Sequence, residues 1–301
     1  MAIGDIISST DYNTIRAKII NVMSTGIGNT GYGQTTFSSD VLAGNIVTKE
    51  QWDGLRYDIY NAIIHQTGST PSIVSVAAGD VIRYGASNPN TQYDTLADQA
   101  ATNRFNLGTG QFVTEVLATQ TRSGSWNSSL TATATVTFST AEQARFFFNS
   151  GGKIRFTSTR TGGVSSQQNT EWSNLLTTIG TQAFAANSPT VNFFNLTNSY
   201  RTFFTQSNSS PYAQNSWRLE AQCNVANNSS GTANIINFRI TWIDNYTDSG
   251  PETPPDDYVD GTMTLTMDSV RAFGVLQPTN TAGSFAITAP ATGTISTITG
   301  G

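Results

Sequence analysis

Charge is what this sequence has least of. Only 12% of its 301 residues are charged, 15 Lys+Arg against 20 Asp+Glu, where globular chains ordinarily carry about a quarter. Lysine is reduced to Lys18, Lys49 and Lys153, and the net charge is −5. Such a surface cannot track a phosphate backbone, so nucleic acid drops out as an expected partner. There is one cysteine, Cys223, and one histidine, His65. They permit neither an intrachain disulfide framework nor a structural zinc tetrad. No stretch approaches the roughly 18 apolar residues of a membrane span, and Met1 to Asp5 carry no basic region. The expectation is a soluble, unexported chain with no membrane partner and no cofactor.

Neutral polar side chains replace the missing charge. The sequence holds 46 Thr, 31 Ser and 26 Asn, about a third of all positions. Sixteen Phe, 10 Tyr and 5 Trp, within 37% hydrophobic residues, suffice for a packed core and argue against disorder.

Four stretches follow from the patterning. Residues 1–67 read as a helical attachment module. Tyr12, Ile15, Ile19, Val22 and Met23 share one helical face, with Ser9, Thr10 or Asp11 as N-cap and Gly26 as stop. A second helix begins at Thr48, in a capping box with Gln51, and carries Trp52, Leu55, Ile59 and Ile63 until Gly68 and Pro71 end it. Two such helices make an antiparallel pair whose apolar seam is too small to stand alone. The seam should therefore be buried against another domain or another subunit; another subunit is favoured, with Ile15, Ile19, Val22, Trp52, Leu55, Ile59 and Ile63 as the expected residues for docking on it or on a larger particle. Residues 68–125 read as a connector, with a possible strand at 72–76 and a short helix at 96–104.

Residues 126–270 read as the main, antiparallel β domain. Leu130, Ala132, Ala134, Val136 and Phe138 alternate with threonines. Lys153–Thr161 and Thr262–Asp268 give further strands, with short helices at 140–147 and 168–179. Trp217 to Val225 and Ile236 to Trp242 form the strongest hairpin, turning at Asn227 to Gly231. Residues 271–301, a tail of small residues, suit either a strand added to a sheet edge or disorder. The expected fold is thus α+β and β-dominated: an antiparallel sheet or sandwich with short inserted helices behind an N-terminal helical pair.

Few residues promise chemistry. Gly26 to Gly31 spells a dinucleotide fingerprint, but it follows a helix instead of a strand and reads as a turning loop. His65 sits in the last turn of the second helix, where a protonated ring suits the helix dipole. Cys223 reads as a small core residue. Asp244, Asp248, Glu252, Asp256, Asp257, Asp260 and Asp268 concentrate acid, and a solvated loop outweighs a calcium site because no Gly-centred EF-hand spacing is present. Phe146 to Phe148, Phe193-Phe194 and Phe203-Phe204, taken as strand doublets, would put one ring on each sheet face. The outward rings would meet a second layer, a partner subunit or a sugar.

The stretch ARFFFNSGGKIRF from Ala144 to Phe156, with Arg160 to Gly163 and Gln168 to Gly180, resembles virion structural proteins of tailed phages of cyanobacteria and other aquatic bacteria. Trp242 to Asp248, Asp11 to Asn13, Tyr32 to Gln34 and Gln51 to Arg56 are similar to the same group. The resemblance implies a non-enzymatic part of the particle in the tail, neck or baseplate, or an attached fibre. It brings no active-site residues. The expected partners are further copies of the chain, as a trimer or higher, and other virion proteins. A receptor-binding module for host surface glycans is the alternative.

Overall fold

The structure is a computed structural model that describes residues 8–77, 79–80, 89–247, 257–275 and 284–301. The fold is β-dominated α+β, with two antiparallel sheets and helices at the N-terminal end. The chain forms two compact units that do not follow the four stretches. One comprises Met1–Val113, Arg145–Gly152 and Arg271–Thr288, the other Thr114–Ala144, Lys153–Val270 and Ala289–Gly301. The 68–125 stretch is therefore divided between the units, and so is the tail.

The first unit is built on three helices, α1 (Ser9–Met23), α2 (Lys49–Thr67) and α3 (Pro89–Thr102). The α1 cap lies at Ser8, one residue before the expected candidates, because Asp11 reaches back to the Ser8 N–H at 2.8 Å and completes a capping box. The helix stops at Ser24. Thr48 and Gln51 cap α2 as expected, and Gly68 ends it in the left-handed conformation.

The seam of α1 and α2 is not open. Ile15, Ile19, Val22, Trp52, Leu55, Ile59 and Ile63 are all 4% exposed or less, and α3 packs on both helices. Tyr12, Trp52 and Tyr93 pack edge-on in series, with centroids 5.3 and 5.4 Å apart. The seven expected docking residues are core residues of their own unit, so the docking role expected of them is withdrawn. Their large apolar area is already removed from water, and displaying it to a partner would cost about 25 cal/mol per Å².

The second unit is a sandwich. One sheet runs β1 (Phe112–Ser123), β8 (Thr262–Val275), β3 (Lys153–Thr161), β4 (Thr181–Ala185). The other runs β10 (Thr292–Ile295), β2 (Ser128–Thr137), β7 (Ile235–Asp244), β6 (Ser216–Cys223), β5 (Arg201–Ser207). Helix α4 (Ala141–Asn149) follows β2, and α5 (Gln167–Ile179) follows β3. The alternating positions of β2, β6 and β7 point between the sheets, where Phe238 meets Phe156 at 4.9 Å and Phe184 at 5.4 Å. Trp242 donates its Nε1–H to Ser158 Oγ across the layers at 2.9 Å. A buried indole N–H needs such a partner.

Hydroxyls link neighbouring strands on the outer faces. Thr157 and Thr181 Oγ1 are 2.7 Å apart, Ser123 Oγ and Thr262 Oγ1 2.9 Å, and Thr135 donates to Asn237 at 2.9 Å. The end of the tail is ordered in cis: β10 and β11 (Thr299–Gly300) pair antiparallel with β2. In the first unit, β9 (Ser284–Ala286) pairs with the end of β8. The stretch 72–76 contains no strand.

Only one phenylalanine doublet lies in a strand. Phe146 to Phe148 belong to α4, Phe193-Phe194 to a single 3₁₀ turn, and Phe203-Phe204 to β5. There Phe203 packs on Phe184 at 5.4 Å and Phe204 on Trp217 at 6.0 Å.

Candidate functional site

The glycine-rich loop after α1 is consumed by internal bonds. Its N–H groups donate to the open carbonyls of α1: Gly31 to Asn21, Gly33 to Ser24 and Gln34 to Met23, at 2.8 to 2.9 Å. Its carbonyls face α4, where Arg145 Nη1 donates to Thr25 and Thr30 at 2.8 and 3.0 Å. Asn149 Nδ2 donates to Gly28, Thr30 and Gly31. A phosphate cradle needs outward N–H groups, and here they close the helix end instead. Gly33 has φ +70, and a Cβ there would lie 2.5 Å from the Phe146 ring, so glycine is required both by conformation and by space.

His65 is 2% exposed, stacked on Phe285 at 4.2 Å and edge-on to Tyr32 at 5.0 Å. Its Nε2 lies 2.9 Å from the Ser150 carbonyl; a carbonyl only accepts, so Nε2 carries the proton. Burial pulls the ring down to about 3, against the raising effect of that bond. The ring is neutral and structural, and the expected dipole interaction of a protonated His65 gives way to desolvation. Cys223 is buried, with its thiol pushed up by burial.

The acidic segment separates into different roles. Asp268 pairs with Arg155 at 2.6 Å. Asp260 accepts from Asn169 Nδ2 at 2.7 Å, from the Val164 N–H at 3.0 Å and from Arg160 at 3.4 Å, fastening the start of α5. Asp248, Glu252 and Asp256 lie outside the described residues. Among the described residues no three acids, histidines or cysteines converge as metal ligands.

Asp244, the last residue of β7, is different. It is 2% exposed, and its Oδ1 accepts from Gln168 Nε2 at 2.6 Å and Trp172 Nε1 at 3.3 Å. Burial pushes its carboxyl up to about 6 against the lowering pull of Trp172, Gln168 and Asn215. Asn215 contributes to that pull although its Nδ2 and Asp244 Oδ2 both fall short of hydrogen-bond geometry.

Asp244 lines a pocket of about 560 Å³ together with Asn127, Ser128, Asn245, Tyr246 and Asp257, with Thr247 at its side. Ser128, the β2 partner of Asp244, has φ +71, the one positive φ outside glycine among the described residues. That conformation costs about 1–3 kcal/mol and is found preferentially at functional sites. Asn215 Oδ1 accepts from the Asn245 and Tyr246 N–H groups, both at 3.0 Å. Tyr246 is seated against buried Tyr212 with centroids 4.4 Å apart. Strained backbone, a shifted buried carboxyl and a polar pocket thus coincide at one end of the sandwich unit.

Amides, hydroxyls and carboxylates beside a held aromatic ring suit a neutral, polyhydroxylated ligand. Of these residues, Asp244 and Asp257 belong to the acidic segment expected to be a solvated loop in preference to a calcium site, and Asp244, Asn245 and Tyr246 to the stretch that resembles virion proteins; none was expected to line a pocket. Asn127, Ser128, Asn215 and Tyr246 sit at strand ends far apart in the chain, and no periodic signal marks them. No protein-family model, curated protein or solved structure matches this chain.

Proposed function

We propose that the chain is a non-enzymatic structural protein of a phage virion, part of the tail, neck or baseplate or of an attached fibre. It works by association with its own kind and with other virion proteins. The observation that supports it is the sandwich's surface chemistry: neighbouring outer-face strands are joined by threonine and serine hydroxyls, and only 12% of the chain is charged. Charged edges and faces keep β proteins apart; a neutral hydroxyl surface permits close packing. The resemblance of Ala144 to Phe156 and the other matched segments to virion proteins points the same way. Immunogold electron microscopy of purified particles tests it: an antibody against the chain labels one defined position on intact particles. Unlabelled particles in a lysate that contains the protein refute it.

The pocket at Asp244 favours a second role, recognition of host surface glycans by the same chain. The full chain then binds host surface oligosaccharides saturably in calorimetry. Tyr246→Ala weakens that binding at least about tenfold, the loss of one aromatic contact of about 1.4 kcal/mol. Absence of saturable binding by the unmodified chain overturns this role.

A further inference from the structure

We propose that Ser128 and Asp257 set the specificity of the pocket at the end of β7: the Ser128 hydroxyl is a direct ligand contact, held in place by a strained backbone, and the Asp257 carboxylate excludes acidic sugars, so that the ligand is an uncharged saccharide. The inference deepens the glycan-recognition reading of this pocket and rests on it.

The strain at Ser128 has a local cause. Trp126 forms an isolated antiparallel bridge with Val259, their N–H groups and carbonyls exchanging two bonds of 2.8 Å. Two residues later the chain is already paired with β7, Ser128 opposite Asp244. Changing partner over so short a distance turns the backbone into the left-handed region, where Ser128 has φ +71. Glycine takes up that conformation without strain. What serine adds over glycine is its hydroxyl, and Ser128 Oγ makes no hydrogen bond among the described residues. A strained residue whose one distinguishing group has no partner within the chain, and which lines a pocket, is placed to meet something from outside.

The neighbouring lining is uncommitted in the same way. The side chains of Asn127, Asn245, Thr247 and Asp257 make no hydrogen bond among the described residues. All four are exposed, and Asp257 lies two residues before Val259, on the segment that meets Trp126. Two amides, two hydroxyls and one carboxylate therefore face the pocket with donors and acceptors to spare, beside the Tyr246 ring. Hydroxyl groups, each both donor and acceptor, suit such a set.

Charge narrows the class of sugar. The lining includes Asp244 and Asp257 and no cation, and the sequence from Ile240 to Val270 holds no Lys, Arg or His. An acidic sugar would bring its carboxylate or sulfate against Asp257 with nothing to neutralise it, and like charges brought together at a binding site are strongly unfavourable. Specificity of this kind works by rejection of the wrong ligand.

The test uses the full chain and oligosaccharides released from host cells, separated by anion exchange into a neutral and an acidic fraction. In calorimetry the neutral fraction binds at least about tenfold more tightly than the acidic one. Asp257→Asn removes the charge and keeps the shape, and the acidic fraction then binds at least about tenfold more tightly than it does to the unmodified chain. Ser128→Gly and Ser128→Ala each weaken binding of the neutral fraction about fivefold, the loss of one hydrogen bond. Ser128→Gly also raises the urea midpoint, because it relieves the strain, whereas Ser128→Ala does not; weaker binding by a more stable variant is not a folding defect. Unchanged binding by both Ser128 variants overturns the proposal, and so does equal binding of the two fractions by the unmodified chain; in either case the glycan-recognition reading stands. Binding of neither fraction overturns both.

Discussion

At the scale of the residue, burial decides what the few ionisable groups do. Asp244 and His65 are both enclosed, and each is driven toward its neutral form. For Asp244 the native carboxyl titrates near about 6 and the unfolded one near about 3.9. Between those values the native state holds the extra proton, so this residue's contribution to stability declines as pH rises from about 4 to about 6. Asp244→Asn removes the titration. The stability difference between variant and unmodified chain, from urea unfolding, should shift in the variant's favour by on the order of 2 kcal/mol between pH 4 and pH 7. A difference that does not change with pH contradicts the burial of this carboxylate. Nothing in the sequence distinguished Asp244 from its acidic neighbours, because its environment comes from α5 and the turn before β6. The reading of Cys223 as a core residue needed only its place on an alternating strand.

At the scale of the element, legibility followed the strength of the periodic signal. The β6–β7 hairpin, β2, β3 and α5 are where their alternation or apolar stripe placed them, because each has one face buried and one wet. β1 escaped notice since its alternation is only between exposed and half-buried positions and slips at Leu117–Ala118, so its apolar residues show no period of two. β5 is interrupted by its register shift, and β4 is very short. α3 was read only in its second half. Its seam-facing residues are Tyr93, Ala97 and Ala100, one aromatic followed by two small alanines that leave a weak stripe, so the sequence left the helical seam looking uncovered. The glycine loop was correctly read as a turn, while its attachment to α4 is a long-range contact invisible to local pattern. Arg145→Ala tests that attachment. It deprives two loop carbonyls of their charged donor and should cost about 2–3 kcal/mol in urea unfolding. A loss below about 0.5 kcal/mol would show that the loop is held by its own N–H bonds alone.

At the scale of the whole molecule, composition proved informative about surface before it was informative about fold. The scarcity of charge and the abundance of threonine belong to strand faces that are tied together by hydroxyls and are not made repulsive. The four-stretch division did not anticipate the two units, because 145–152 and 271–288 join the helices from distant parts of the sequence, and sequence proximity carries no information about such returns. The central claim is that this chain is a built-in component of a virion. Quantitative mass spectrometry of particles taken through successive density gradients tests it most directly. The account predicts a constant ratio of this chain to the other particle proteins through every gradient; a ratio that falls toward zero as purity rises would contradict it.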